Sequence, residues 1–182
     1  MLATQPKEEM KKQLSLGFVG VGWIGRNRME VMLRDTNSKA VAITEPTEEN
    51  AREALKISRE ASLKDFSEML QDEELDGVVI ATPSAMHAGQ TIEALKAGKA
   101  VFCQKPLGRT AAEVKEVVKA AEGSNKLLGV DLSYRETEAF KAIYNVIKSG
   151  DIGEIYSVDL VFHNAYGPDK EWFYDIKRSG GG

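Results

Sequence analysis

Three parts of the sequence carry residues suited to a ligand-binding or catalytic site: a glycine-rich stretch, an acid after an apolar run, and a lysine beside a proline. The glycine-rich stretch has G-x-G-x-x-G spacing and consists of Gly20, Val21, Gly22, Trp23, Ile24 and Gly25. It follows the apolar run Leu14–Val19 and opens a helical stretch, the context in which this spacing binds the pyrophosphate of a dinucleotide. We therefore predict that these residues bind a dinucleotide cofactor.

Each glycine of this stretch has its own role in that prediction. Gly20 permits a tight turn, Gly22 lets the backbone approach the pyrophosphate, and Gly25 lets the helix pack closely on the strand. The helix N-terminus adds N–H donors and the positive end of the helix dipole. The alternative interpretation is an ordinary glycine-rich turn.

The acid is Glu45, which follows the apolar run Ala40–Thr44 about twenty residues after Gly25. A carboxylate at this place accepts hydrogen bonds from the adenosine ribose hydroxyls. Its charge would repel a 2′-phosphate, and no arginine follows it directly, so we expect NAD rather than NADP. Arg52, in the next predicted helix, is the observation that leaves NADP open. The alternative interpretation of Glu45 is a surface glutamate.

The lysine is Lys105, which stands between Gln104 and Pro106 directly after the apolar run Ala100–Cys103. A lone Lys-Pro pair usually marks a surface turn. At the carboxyl end of a parallel strand, however, it lies where such sheets bind ligands. Cys103 precedes it on a predicted buried strand, and we interpret it as a small core residue rather than a nucleophile.

The elements that would position these groups form a repeating pattern. Short apolar runs alternate with helical stretches, which is typical of a parallel sheet covered by helices on both faces. Several runs are apolar without alternation, as in strands buried on both sides. The fold class is therefore predicted as α/β, a doubly wound Rossmann sheet, with strands at Leu14–Val19, Ala40–Thr44, Gly77–Ala81, Ala100–Cys103 and Lys126–Val130.

Capping patterns bound the helices between these strands. We expect Thr47 to cap one helix N-terminus with its hydroxyl, and Thr110 to Glu113 to form a capping box. A weaker version of that box spans Ser62–Asp65. Left-handed glycines are expected after three helices, at Gly98, Gly123 and Gly150.

The pattern changes after about Arg135. Glu136–Ser149 is predicted to be an amphipathic helix, and Ile155–Asn164 alternates like a strand with one buried face. We therefore predict a flexible leader at 1–13, an NAD-binding Rossmann domain at 14–135, and the beginning of an incomplete α+β C-terminal domain at 136–182.

Composition narrows the class of protein. The 182 residues are 42% hydrophobic and 29% charged, with a formal net charge of −4, which argues against a nucleic-acid partner. The sequence has no apolar run of the roughly 18 residues that a membrane helix needs, and the polar N-terminus lacks the apolar centre of a signal peptide. A single cysteine excludes an internal disulfide and fits a cytoplasmic location. We predict no metal site.

Longer motifs make a family resemblance visible. Asp76–Cys103 leads into Gln104-Lys105-Pro106, and this region resembles the Gfo/Idh/MocA family of glucose–fructose oxidoreductases and inositol dehydrogenases. In that family a strand ending in (A/T)-x-P-x-x-x-H is followed by a helix, a strand and Glu-Lys-Pro. The similarity continues through Gly129–Arg135 and Ser149–Val158 to Trp172, and so covers nearly all of the chain after the leader.

The resemblance implies roles for individual residues. Lys105 matches the family lysine that contacts the nicotinamide ribose and the reacting substrate hydroxyl, where an ammonium can stabilise alkoxide charge or relay a proton. His87 would lie near the cofactor side of the cleft; the alternative is a polar residue that starts a helix. Further expected cofactor contacts are Ala81, Thr82, Pro83 and Gln104. Trp172 is expected near the substrate, as are Tyr134 and Arg135, which could equally form a hinge.

The sequence departs from the family pattern in two ways. Gln104 stands where the family has glutamate, so it can form hydrogen bonds but contributes no negative charge. The family's Asp-x-x-x-His pair lies in a helix introduced by the glycine stretch, and this sequence stops at Gly182. We therefore expect an N-terminal portion that binds cofactor but catalyses poorly as it stands.

Two functions remain open at this point. The first is an NAD-dependent dehydrogenase for a sugar, cyclitol or related polyol, expected to be a homo-oligomer when full length. The second is a non-catalytic dinucleotide-binding regulator or scaffold, which the absent pair and Gln104 would fit. An Asp-x-x-x-His soon after Gly182 would favour the enzyme.

Overall fold

The computed structural model describes residues 12–161, 163 and 170–180. One parallel sheet contains all the strands of these residues: β1 (Leu14–Val19), β2 (Ser38–Thr44), β3 (Ser62–Leu63), β4 (Gly77–Ile80), β5 (Ala100–Gln104) and β6 (Leu128–Asp131). Their order is β3-β2-β1-β4-β5-β6. The order in which the chain adds strands to the sheet reverses between β1 and β4, and such a point opens a crevice at the carboxyl ends of the strands. The α/β Rossmann prediction is confirmed.

The helices lie between the strands and beyond β6. In the described ranges they are α1 (Trp23–Asp35), α2 (Glu48–Ile57), α3 (Phe66–Leu70), α4 (Ser84–Lys96), α5 (Ala111–Ser124), α6 (Glu138–Ser149) and α7 (Ile176–Ser179). None of these helices has the length and apolar character needed to cross a membrane.

Apolar side chains fill both faces of the sheet. On β4, Val78 and Ile80 belong to the core cluster on one face, and Val79 belongs to the cluster on the other. Leu95 of α4 packs in the first cluster, and Met29 of α1 packs in the second. Since both faces are covered by helices, consecutive strand residues are all apolar, which explains the runs without alternation.

Strand boundaries differ from the predictions by a few residues, and one strand was not predicted. β3 has only two residues, Ser62 and Leu63, both exposed, so it leaves no periodic pattern to recognise. The capping box predicted at Ser62–Asp65 is wrong: Asp65 is the N-cap of α3, and its side chain makes no capping hydrogen bond.

The other capping predictions have mixed outcomes. The Thr110 hydroxyl accepts from the Glu113 N–H at 3.2 Å, as predicted. Thr47 makes no such bond with its side chain. Gly98 and Gly150 have φ of 74° and 79°, as expected for left-handed caps. Gly123 instead lies inside α5, which ends at Asn125 with φ of 53°.

The chain beyond β6 departs most from the sequence prediction. A 3-10 turn, Ser133–Glu136, precedes α6, so the predicted helix begins two residues later than expected. The strand predicted at Ile155–Asn164 is wrong for the residues described, 155–161 and 163, and its remaining positions lie outside them. Tyr156 and Leu160 are 97% and 92% exposed. A strand needs a hydrogen-bonding neighbour and cover for its apolar face, and the described residues supply neither.

Asp76 connects the beginnings of β1 and β4. Its carboxylate accepts from the Ser15 N–H at 2.8 Å and from the Lys12 ammonium at 2.7 Å. The hydrogen bond from Lys12, followed by that from Ser15, lowers the pKa of Asp76 below its usual range. The ionised carboxylate therefore stabilises the join between the two strands.

We predict that Asp76→Asn lowers the free energy of unfolding by about 1 kcal/mol at pH 7, because the charge-assisted part of both bonds is lost. The folded-state pKa lies below the unfolded value of about 3.9. The contribution of the carboxylate is therefore present above that value and is lost as the pH falls through the folded-state pKa. Urea unfolding at pH 7, 4 and 3 should show the difference between wild type and variant shrinking. The exposed Asp151→Asn variant is the control, and a difference that stays constant with pH would refute this account.

Candidate functional site

The carboxyl ends of the parallel strands bring most of the predicted residues to one edge of the sheet. The glycine-rich stretch follows β1, and Glu45 follows β2. Ala81, Thr82 and Pro83 follow β4, while Gln104 ends β5 and Lys105 follows it. Loops from both halves of the sheet therefore face the crevice at the reversal point.

The three glycines of the loop after β1 have different surroundings. A Cβ on Gly25 would lie 2.0 Å from the Gly20 carbonyl oxygen, so only glycine fits. Gly20 has φ of 78°, and a Cβ there would meet Ala81 and Thr82 at 2.8–2.9 Å. A Cβ on Gly22 would meet nothing within 4 Å. The fold thus requires the first and last glycines, whereas the middle one faces open space.

The beginning of α1 suits an anionic ligand. Gly22 is the N-cap, no side chain caps the helix, and its first turn contains no acid. Its first N–H groups therefore remain available at the positive end of the helix dipole. Trp23 is 69% exposed, Ile24 is half-buried and Val21 is buried.

Glu45 is bonded to the glycine loop. Its carboxylate accepts from the Val21 N–H at 2.8 Å and from the Thr47 N–H at 3.0 Å. The Arg26 guanidinium donates to the Val21 carbonyl at 2.9 Å and to the Asn50 side chain at 2.8 Å. Both polar groups of Val21 are thus held. A carboxylate has about four acceptor sites, so Glu45 retains capacity for ligand hydroxyls.

Two arginines near this acid have separate partners. Arg26 was not predicted from the sequence, and its position after Gly25 gave no signal, because its partners lie on the loop and on α2. Arg52 pairs with Glu48 at 2.7 Å on the exposed side of α2. Since this pair lies within one helix, Arg52 has a local partner in the structure.

The buried side chain of His87 lies between two loops and contacts a backbone carbonyl of each. It is 1% exposed, and its Nε2 lies 2.7 Å from the Thr82 carbonyl oxygen while its Nδ1 lies 2.6 Å from that of Pro106. Carbonyl oxygens only accept, so each of these bonds needs an N–H on the ring nitrogen that faces the carbonyl. The structure favours the alternative interpretation, in which His87 starts α4 and joins the loops that follow β4 and β5.

Lys105 directly follows the end of β5, and its backbone N–H is held by a hydrogen bond. Its N–H donates to Gln104 Oε1 at 2.9 Å, and its peptide bond to Pro106 is cis. The side chain is exposed, and within the described part of the chain its ammonium has no hydrogen-bond or ion-pair partner. This ammonium is therefore available to a ligand at the strand ends.

A buried acid that was not predicted from the sequence lies beside Gln104. Asp131 ends β6 and is 5% exposed. Its Oδ2 accepts from Gln104 Nε2 at 3.0 Å and also from Arg28 Nε, which reaches it from α1. One feature of the sequence pointed to this residue: it is an acid at the end of an apolar strand, where a charged side chain requires a partner.

Cys103 is a core residue, as predicted. Its side chain is fully buried on β5. Burial raises the pKa of the thiol to about 11. The group therefore stays a thiol at neutral pH and is not a nucleophile.

The residues expected near the substrate lie in two places. Tyr134, which is 70% exposed, and Arg135 belong to the 3-10 turn directly after β6. Trp172 is half-buried in a second short turn, where its ring stacks on Phe173 with centroids 4.1 Å apart. The following segment returns to the Rossmann fold, since the Arg109 guanidinium, which also pairs with Glu113, donates to the Lys177 carbonyl.

An apolar depression lies away from these strand ends. It is formed by one face of α6 and the segment after it, and its lining includes Ile143, Ile147 and Ile155. A more polar depression lies beside Glu45 and includes Pro46 and Lys64. Within 12–161, 163 and 170–180, no three His, Cys, Asp or Glu side chains are grouped so that they could hold a metal ion.

Comparisons with known proteins agree with this arrangement. The Gfo/Idh/MocA family model, described as an oxidoreductase family with an NAD-binding Rossmann fold, matches residues 14–132. A 1,5-anhydro-D-fructose reductase from Ensifer adhaerens is 30% identical over 91% of this chain and 50% of its own length. The chain spans about half the length of the curated relatives it matches.

Solved structures show the same similarity. An NAD-binding protein from Listeria innocua has a TM-score of 0.83 and 30% identity, with 94% of this chain and 50% of that one covered. Scyllo-inositol dehydrogenase from Lactobacillus casei, solved with NAD(H) and scyllo-inositol, has a TM-score of 0.71 and 26% identity, covering 79% and 43% of the two chains.

Proposed function

This chain belongs to the Gfo/Idh/MocA oxidoreductase family, and from that premise we propose that its protein transfers hydride between NAD and a sugar, cyclitol or related polyol. The observation that carries the proposal is that the glycine loop, Glu45 and the Lys105 ammonium, which has no partner among the described residues, all lie at the carboxyl-end edge of the sheet. The similarity to a sugar reductase and a cyclitol dehydrogenase supports the substrate class.

The glycine loop fits a dinucleotide. The open space beside Gly22 leaves room for a pyrophosphate, and the uncapped N–H groups of α1 would bind it. Glu45 would accept the adenosine ribose hydroxyls, beside the depression that includes Pro46. We assign the cofactor site to Gly20, Val21, Gly22, Trp23, Ile24, Gly25, Glu45, Ala81, Thr82, Pro83, Gln104 and Lys105.

We favour NAD over NADP for two reasons. The charge of Glu45 opposes a 2′-phosphate at the place where its carboxylate would receive the ribose. Arg52, the basic residue that left NADP open, is paired with Glu48.

Lys105 would handle the substrate hydroxyl. When bound, the nicotinamide supplies the hydride acceptor or donor. The exposed ammonium would bind the hydroxyl oxygen, stabilise the negative charge that develops on it as the O–H proton leaves, and relay that proton. Tyr134, Arg135 and Trp172 would line the substrate side.

Wider features of the protein are proposed on the same basis. Residues 14–135 would form the cofactor domain, and 136–182 would begin a second domain. The exposed apolar side chains of α6 support assembly into a homo-oligomer. The single, buried thiol of Cys103 supports a cytoplasmic location.

A polyol panel tests the function. The protein containing this chain is expected to bind NADH, seen as a change in its fluorescence, and to reduce NAD with at least one sugar or cyclitol. Tight NADH binding without turnover on any polyol would refute the oxidoreductase and favour the dinucleotide-binding regulator.

Glu45→Ala is expected to weaken NAD binding about tenfold, because the ribose hydroxyls lose a charged acceptor. NADP binding should change less or improve, since the repulsion of a 2′-phosphate is removed. Both dissociation constants are measured by titration, with the exposed Glu49→Gln as a control. Equal affinities for NAD and NADP in wild type and variant would refute the role assigned to Glu45.

A further inference from the structure

Asp131 is a buried acid with a specific set of partners. It ends β6 with 5% exposure, and one oxygen, Oδ2, accepts from both Gln104 Nε2 and Arg28 Nε. These donors come from β5 and α1, so three separate elements meet at this carboxylate. A buried charge is stable only with such partners.

The amide of Gln104 can adopt only one orientation here. The Asp131 carboxylate accepts hydrogen bonds, so the Gln104 side that faces it must be the NH2 group. The Lys105 backbone N–H only donates, so the opposite side must be the carbonyl oxygen, 2.9 Å away. Asp131, Gln104 and Lys105 therefore form a directed chain of hydrogen bonds.

The pairing also explains why residue 104 is an amide. Gln104 and Asp131 are register partners on adjacent parallel strands, and their side-chain polar atoms are 3.0 Å apart. A glutamate at 104 would put two carboxylates at that distance, where like charges disfavour one another's ionisation. The negative charge of this pair therefore lies at position 131.

We propose that Asp131 is a positioning residue for Lys105 and supplies the negative charge of the nicotinamide end of the site in place of an acid at residue 104. This inference rests on the proposed function, because it uses the expected position of the nicotinamide beside Lys105. The charge strengthens the hydrogen bond from Gln104 and, through it, the hold on the Lys105 N–H. It also pairs with the Arg28 guanidinium, and it would attract the nicotinamide ring, which is positive only in the oxidised cofactor.

Asp131→Asn isolates the charge, because the asparagine oxygen can still accept from Gln104 and Arg28. We expect the dissociation constant of NAD⁺ to rise about tenfold, as one unit charge roughly 10 Å away would produce at an effective dielectric constant of about 20. That of NADH should rise less, because its ring is neutral. The dissociation constant of ADP, which lacks the nicotinamide and its ribose, should stay within about twofold of the wild-type value.

The charge-swapped double variant Gln104→Glu with Asp131→Asn is the rescue. Its new carboxylate at position 104 can accept from both the Lys105 N–H and the new side-chain amide at position 131. Arg28 Nε, which shares Oδ2 with Gln104 in the wild type, then moves to the oxygen of that amide. We expect its NAD⁺ affinity to return to within about threefold of wild type. It has the same net charge as wild type, so it tests the proposal even if Gln104→Glu alone does not fold.

The titrations are made on folded protein, checked by thermal unfolding. Equal losses for NAD⁺, NADH and ADP would indicate general damage and overturn the proposal, as would a double variant no better than Asp131→Asn. Failure of the wild type to bind NAD⁺ or NADH would instead contradict the proposed function.

Discussion

Replacing Lys105 with methionine is expected to lower kcat for hydride transfer by roughly a thousandfold, within the range that a lost general acid–base group produces. The ammonium extends from the end of β5 and, among the described residues, has no partner of its own, so its interactions are left for a ligand. Methionine preserves much of the side chain's volume and removes the charge and the proton. NADH affinity should change only a few-fold, because the glycine loop and Glu45 are untouched.

Steady-state kinetics on the protein containing this chain, with the best polyol of the panel, measure this effect. Lys96→Met, an exposed substitution in α4, is the matched control and should leave turnover unchanged. A Lys105→Met variant with wild-type kcat would contradict the assignment.

Lys105→Arg then separates the two tasks of the ammonium. Arginine keeps the positive charge but does not release a proton in proteins. Retention of much of the activity would mean that Lys105 acts by stabilising oxyanion charge; a loss as large as that of methionine would mean that it relays the proton.

The second large effect is expected at the glycines. Gly25→Ala should destabilise the fold by about 3 kcal/mol or more and abolish NADH binding, because its Cβ would lie 2.0 Å from the Gly20 carbonyl oxygen. Gly22→Ala should fold normally, since its φ of −60° suits alanine and its Cβ meets nothing within 4 Å. Its added methyl would enter the space proposed for the pyrophosphate, so NADH and ADP binding should weaken at least tenfold, roughly the loss of one good interaction.

Urea unfolding and NADH titration of the two variants separate folding from binding. Gly89→Ala, in the exposed interior of α4, is the control and should stabilise the protein by about 0.5–1 kcal/mol through helix propensity. Wild-type NADH binding by Gly22→Ala would refute the pyrophosphate assignment.

The features predicted correctly from the sequence are those encoded by neighbouring residues. The glycine spacing is local, and the continuous apolar run of β4 reports burial on both faces within four residues. The position of Glu45 beside the glycine loop was predictable because the length of a strand–helix–strand unit fixes its distance from Gly25, whereas its contact with a ribose stays a prediction.

The features that were missed depend on residues far apart in the chain. Arg28, Gln104 and Asp131 come from three elements, so no local pattern shows that one carboxylate receives two donors. The sequence showed that an acid was absent at position 104 but not that another stood beside it. The two carbonyl partners of His87 were likewise not predicted, because they belong to loops whose meeting depends on the whole sheet.

The strand predicted at Ile155–Asn164 shows a different limit. Its alternation is real in the sequence, but alternation gives only the side-chain preference of a strand. The backbone needs a neighbour, and the described residues place none beside 155–161.

The burial of Cys103 has a practical consequence for studying this molecule. It is the sole cysteine of the chain, it is fully buried, and it lies one residue before Gln104. A thiol reagent can reach it only when the end of β5 opens, so the rate of alkylation reports the local opening equilibrium at that strand. The chain thus contains a natural probe for the dynamics of the loop that carries Lys105. No label has to be introduced, and no other cysteine of the chain contributes to the alkylation rate.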